Sequence, residues 1–177
     1  MSIFNHNIAQ SFRLPAIGIF VCLMIGAVAN CKFIMGQQLV KKKSMTQKKF
    51  INPKTLSKSS GYSHAVVVKG GRTIYISGQV AQNAQGEIIG KGDLRLQTMQ
   101  AFQNLKNALS GAGADFADVV KINIYVANYR FENLSIIREV RERFISAENP
   151  PASTLVGVES LFHEDLLIEI EAIAVLD

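Results

Sequence analysis

With 177 residues, 48% of them hydrophobic, the chain is long enough for one domain with its own core, and no internal repeat or second core is visible. The formal charge of +5 comes entirely from the segment before Met45 (Arg13, Lys32 and Lys41 to Lys43), because from Met45 onward 14 basic residues meet 14 acidic ones. A neutral domain lacks the clustered Lys and Arg of a phosphate-backbone binder, so nucleic acid is not an expected partner.

Leu14 to Ala29 carries no charge, follows Arg13 and ends on Ala27-Val28-Ala29. These are the parts of a secretory signal: a weak positive region, an apolar core and small residues placed for cleavage after Ala29. The run is shorter than the roughly 20 apolar residues of a membrane span, so no stable membrane association is expected of the domain. Asn30 stands where a lipoprotein signal needs a small residue before Cys31. The alternative is translation from Met45, which makes the leader untranslated and the protein cytoplasmic rather than exported. Residues 30–49 read as a basic linker, and the domain is expected over 50–177. Cys22 and Cys31 both lie in the leader, so the domain needs no disulfide and suits either redox compartment.

In the domain, His64 to Lys69 and Thr73 to Ser77 are rich in β-formers and flank Gly70-Gly71, a pair suited to a tight hairpin. Asn83 to Gly92 reads as a loop with at most one short strand. Asp93 is a helix N-cap, followed at helical spacing by Leu96, Met99, Phe102, Leu105 and Leu109 until Gly111 and Gly113 stop the helix. Asp118 to Ala127 alternates as a central strand, with Val120, Ile122, Ile124 and Val126 on one face. A second helix is expected over Phe131 to Ser146, with Leu134, Ile137, Val140 and Phe144 inward and Arg138, Arg141, Glu142 and Arg143 mostly outward. The predicted fold class is α+β: a mixed β-sheet with both helices packed on one face. Such a sheet leaves its other face uncovered, and self-association is the natural way to cover it.

The last strand carries the chemistry. In Leu167-Ile168-Glu169-Ile170-Glu171-Ala172-Ile173-Ala174-Val175, alternation puts Glu169 and Glu171 on one face with Ile173 and Val175. Carboxylates in line with bulky apolar residues are costly unless paired, which marks a candidate site, although two solvent-facing glutamates at a strand end would give the same pattern. Upstream, Pro150-Pro151-Ala152-Ser153-Thr154-Leu155-Val156-Gly157-Val158 is a proline-stiffened entry into another strand, and Ile76-Ser77-Gly78-Gln79-Val80 ends an earlier one.

These three motifs, P-A-S-T-L-V-G-V, L-I-E-I-E-A-I-A-V and I-S-G-Q-V, resemble the Rid family of reactive-intermediate deaminases, also called YjgF-type, over about residues 50 to 177. The resemblance implies a homotrimer of chorismate-mutase-like subunits with ligand clefts between neighbours. It also implies that Glu169, the first acid of I-E-I-E, is the catalytic group that positions or activates the attacking water. Glu171 is the weaker candidate. Ser77 and Gly78 match the family's substrate-binding S-G pair, and Tyr62 matches a tyrosine that lines the cleft from the neighbouring subunit. In each case the bland alternative is structural: a strand-ending turn for Ser77-Gly78 and a half-buried packing residue for Tyr62.

One position departs from the family. Deaminating members carry an arginine where this chain has Ser153, and that guanidinium grips the carboxylate of a 2-imino acid by two prongs. A serine offers one hydroxyl, which Thr154 supplements. Losing a contact of about 1.5 to 3 kcal/mol weakens binding by roughly one to two powers of ten.

His64 and His163 lack partners at metal-ligand spacing, and no Gly-rich phosphate loop, Ser-His-Asp order or Cys cluster is present, so neither a metal nor a cofactor is expected. Two readings follow. The first is an imine or enamine hydrolase using Glu169, with Tyr62, Ser77, Gly78, Ser153 and Thr154 around a small-molecule substrate. The second is a non-catalytic trimer whose clefts capture a small metabolite, which Ser153 favours. Ribonuclease activity, attached to some family members, is disfavoured by the neutral domain.

Overall fold

The computed structural model describes residues 45–177; the signal-like run, the cysteines and most of the basic linker lie outside them. Eight elements follow in order: β1 (Gln47–Ile51), β2 (Ala65–Lys69), β3 (Arg72–Val80), α1 (Leu94–Gly111), β4 (Val119–Ala127), α2 (Asn133–Arg141), β5 (Ala152–Val158) and β6 (Ile168–Leu176). A 3-10 turn, Phe116–Asp118, precedes β4.

β3, β6, β4 and β5 form one sheet in that order, with β6 antiparallel to both neighbours and β4 parallel to β5. The crossovers β3-α1-β4 and β4-α2-β5 both step the same way across this sheet. Because such crossovers share one hand, both helices fall on one face, as the α+β expectation required. Ile122, Ile124 and Val126 of β4 and Ile168, Ile170, Ala172 and Ala174 of β6 turn toward the helices. They meet Phe102, Leu105 and Leu109 of α1 and Ile137 and Val140 of α2. Phe102 also stacks on Phe144 at 5.1 Å.

Four expectations change. The Gly70-Gly71 turn forms with both residues at positive φ (78° and 82°), but the strands it joins separate: β2 pairs with β1, and β3 with β6. A Cβ on Gly71 would stand 2.7 Å from Leu176 O and 2.4 Å from Thr46 Oγ1, so the turn is pressed against the end of β6 and its strands find better partners elsewhere. β1 (Gln47–Ile51) is a strand the sequence reading did not include: it spans the end of the expected 30–49 linker and the start of the domain, and it pairs with β2. There Lys48 pairs with Asp118 at 2.9 Å.

Leu96 belongs to no core stripe. It is 52% exposed and packs over Gly90 at the first turn of α1, ahead of the buried series Gln97, Ala101, Phe102, Leu105 and Leu109. The predicted N-cap holds, with Asp93 Oδ1 accepting from Leu96 N at 3.0 Å. Finally, α2 spans only Asn133–Arg141, and Phe131 is 88% exposed. Phe144 and Ile145 still pack inward from the turns that follow, because apolar periodicity records burial rather than helical hydrogen bonding.

Gln97 is a buried polar residue with a structural task. Its Nε2 donates to Gly90 O (3.2 Å) and Asp165 O (2.7 Å), and its Oε1 accepts from Leu167 N (2.8 Å). This clamps the loop that feeds β6, two residues before Glu169. Gln97→Ala leaves these buried backbone groups unpaired and is expected to cost roughly 3 kcal/mol. A thermal or urea unfolding curve checks this, and a loss below about 1 kcal/mol would remove the clamp from the account.

Candidate active site

Edge strand β3 bulges where the candidate residues gather. Ile76 pairs with Ala172 but Gln79 pairs with Ile170, so three steps along β3 match two along β6 and the extra residue lies at Ser77-Gly78. Gln79 Nε2 donates back to Ser77 O at 3.1 Å. Asn104 Nδ2 of α1 donates to Val80 O and Gln82 O, each at 2.8 Å, and fixes the strand just past the bulge.

Glu169, on the face of β6 away from the helices, lays its side chain into the space left by the missing Cβ of Gly78. A Cβ built there would meet Glu169 Oε1 at 1.7 Å, Cδ at 2.6 Å and Cγ at 2.8 Å. The glycine leaves room for the approach of a carboxylate, and no positive φ is involved. None of the described side-chain hydrogen bonds engages the Glu169 carboxylate.

Its neighbour Glu171 is tied down: Oε1 accepts from Asn123 Nδ2 at 2.6 Å and from Tyr125 OH at 3.0 Å. That hydrogen bond, with burial and the charges of Glu171 and Glu169, pushes the Tyr125 phenol above its usual range. The two acids therefore differ in kind. Glu171 holds Asn123 and Tyr125 of β4 and lines the pocket beside Ser77, whereas the half-buried Glu169 carboxylate lies against Gly78.

Thr154 shares the open face. Its Oγ1 accepts from Lys121 Nζ at 2.5 Å, and partial burial lowers the Lys121 pKa while Glu171 opposes that shift. Tyr75, Ser77, Lys121, Asn123 and Glu171 line a shallow pocket on this face. Sequence reasoning passed over Lys121, Asn123 and Tyr125, although their alternation with Ile122 and Ile124 already placed them on one face.

Ser153 and Tyr62 lie elsewhere. Ser153 pairs with Ile122 in the parallel β4–β5 ladder and so turns toward the helices. Buried Ser63 holds the preceding loop to the start of β5, its N donating to Pro151 O (3.1 Å) and its Oγ to Pro150 O (2.7 Å). Tyr62 is thereby brought beside Ser153, and both line a cavity of about 170 Å³ with Ser60, Arg138 and Arg141. Arg141, expected outward, is half-buried and donates to Gly61 O. Between Ser153 and Glu169 stand two strand spacings, about 10 Å, and the thickness of the sheet. One chain therefore unites Glu169 with Ser77 and Gly78, but not with Ser153 and Tyr62.

His64 and His163 hold backbone: His64 Nε2 is 2.8 Å from Ser57 O, and His163 Nδ1 accepts from Asp165 N at 3.1 Å. Among the described residues no group of acids, histidines and cysteines is arranged to hold a metal, and no helix is long and apolar enough to cross a membrane.

A mixed four-stranded sheet with two helices on one face, and a carboxylate seated over a glycine bulge on the other, defines a small α+β protein of the Rid type. The chain belongs to that family: the family model described as Endoribonuclease L-PSP, the YjgF/Rid family, matches residues 53–176. Among solved structures, a Rid-family protein of unknown function, YyfB from Yersinia pestis, is 45% identical with a TM-score of 0.69, covering 73% of this chain and 98% of that one. RidA from the Antarctic bacterium Psychrobacter is 31% identical with a TM-score of 0.54, covering 68% and 92%. Among curated relatives, a 2-iminobutanoate/2-iminopropanoate deaminase of Dermatophagoides farinae is 38% identical over 116 residues, 66% of this chain and 86% of its own. The human protein of the same name is 33% identical over 114 residues, 64% of this chain and 79% of its own.

Proposed function

We propose that this protein is a hydrolase, of the deaminase type, acting on reactive imines and enamines. The observation that carries the reading is the Glu169 carboxylate, seated over Gly78 beside Ser77 and used by no described hydrogen bond. Hydrolysing a C=N bond requires an acceptor beside the attacking water and a proton for the departing nitrogen. Glu169 takes a proton from water as its oxygen bonds to the imine carbon. Returned to the nitrogen, that proton completes a carbinolamine; the carbinolamine's hydroxyl proton then passes to the nitrogen as the C–N bond breaks and the C=O bond forms, leaving a carbonyl compound and ammonia. No electrons are transferred, so the cycle needs no redox cofactor. The deaminase relatives support this class of reaction.

Position 153 gives the substrate a hydroxyl rather than a guanidinium, with Thr154 and Tyr62 as further hydrogen-bonding groups. Substrates that depend on an arginine at that position, the typical 2-imino acids, are expected to be weaker than imines or enamines held in another way. The same serine favours the second reading, a non-catalytic metabolite-binding protein. A ribonuclease reading has less support, since a domain with 14 basic and 14 acidic residues carries no phosphate-binding surplus. The test is ammonia release from imines generated in a coupled oxidase assay, comparing wild type with Glu169→Gln. Ligand binding with no acceleration of hydrolysis by wild type would leave the binding reading.

Assembly belongs to the same proposal. Tyr75, 79% exposed, pairs with Ile173 on the uncovered face of the sheet, and Ser153 and Glu169 meet one ligand only if a neighbouring subunit supplies one of them. A homotrimer satisfies both needs. Residues 45–177 are expected to sediment as a trimer at micromolar concentration, and a folded monomer would remove the inter-subunit cleft.

A further inference from the structure

We propose that Arg138 and Arg141 form a carboxylate-binding subsite on the helix side of β5, taking a short-chain carboxylic acid whose carbon skeleton rests on the apolar wall of the same cavity. Both arginines come from the last two turns of α2 and line a cavity of about 170 Å³ with Tyr62 and Ser153. Its opposite wall is apolar, built from Ile124, Leu134 and Leu155 among others. That volume is about five or six waters' worth. A short acid of three to five carbons can place its carboxylate and most of its skeleton there.

Neither arginine of this cavity has an ion-pair partner among the described residues, and Arg138 is exposed. Nearby Arg95 and Arg143 both reach Glu139, at 2.6 and 3.5 Å, but no described ion pair involves Arg138 or Arg141. Arg141 is half-buried, and one arm of its guanidinium is spent on Gly61 O, leaving the rest of the fork for another acceptor. Burial first, and then the repulsion of Arg138, lower its pKa, while Glu142 opposes this without approaching to ion-pair distance. A half-buried guanidinium beside a second one is stabilised by an oxyanion, and the planar fork matches a carboxylate. Tyr62 and Ser153, whose hydroxyls no described hydrogen bond uses, line the same cavity.

Binding of the acid does not depend on hydrolysis. That the acid is the substrate's anionic end rests on the reading of Glu169 given above. In that case the grip absent at position 153 is supplied from α2, and carboxylate-bearing imines remain substrates by a different hold.

The experiment is calorimetric titration of the full-length protein with 2-oxobutanoate, its uncharged counterpart butanone, and inorganic phosphate. Wild type is expected to bind 2-oxobutanoate and not butanone. Arg138 makes no described structural bond, so Arg138→Gln should fold normally and bind roughly tenfold more weakly or worse. Arg141→Lys keeps the charge but loses the fork and should weaken binding similarly, with circular dichroism showing the fold intact. Unchanged affinity in both folded variants, or no binding by wild type, overturns the subsite; phosphate bound in place of 2-oxobutanoate overturns the carboxylate assignment. Glu169→Gln separates the two proposals, since it should keep 2-oxobutanoate affinity while losing turnover. If wild type binds the acid through the arginines but hydrolyses nothing, the subsite stands and the hydrolase reading falls.

Discussion

Glu169→Gln is expected to slow imine hydrolysis by roughly two to four powers of ten, the usual contribution of a positioned acid–base group. The amide is nearly isosteric, so it should still lie over Gly78 and leave sheet and assembly unchanged; what it loses is the ability to take a proton from water. Since no described hydrogen bond holds the carboxylate, there is no structural network for the substitution to break. The measurement is the rate of ammonia release with a substrate that wild type accepts, together with the sedimentation behaviour of the mutant. An unaltered rate in a well-folded mutant would take Glu169 out of the mechanism and move attention to the shallow pocket around Lys121 and Glu171.

Gly78→Ala should produce a loss of similar origin from the other partner. The added Cβ occupies the Glu169 carboxylate position, with contacts of 1.7, 2.6 and 2.8 Å to three atoms of that side chain. All three belong to a flexible side chain and not to backbone, and Gly78 has no positive φ that would strain an alanine. The fold should therefore survive while the carboxylate is displaced by about an ångström or more, a misplacement worth roughly two powers of ten in rate. Combining Gly78→Ala with Glu169→Gln tests the shared cause: the double mutant should be little slower than Glu169→Gln alone, because the second change displaces a group already disabled. Full additivity would mean that Gly78 acts through something other than Glu169.

Much of this was legible before any coordinates. Alternation in the last strand separated Glu169 and Glu171 from Ile168 and Ile170, and the Asp93 cap with its apolar stripe located α1. The Ser77-Gly78 pair was visible as a motif. That the Glu169 side chain lies in the space beside Gly78 was not, since the two are 91 positions apart and meet only through a bulge whose register no local pattern records. Leu96 and the overlong second helix were misread for a related reason: apolar spacing reports burial somewhere, and only packing decides which turn is helical and which faces water.

By itself, then, the sequence determined the order of the elements from β2 onward, the faces of β4 and β6, the neutral domain charge and the residue types available for chemistry. All of these follow from local periodicity, capping and composition. The partners were decided by tertiary structure. β2 leaves its own hairpin for β1, Ser153 turns toward the helices while Glu169 turns away, Glu171 is taken up by Asn123 and Tyr125, and Arg138 and Arg141 line one cavity with Ser153. These are choices among competing long-range contacts of similar local quality, and they are settled by which set buries the most apolar surface while leaving the fewest polar groups unpaired.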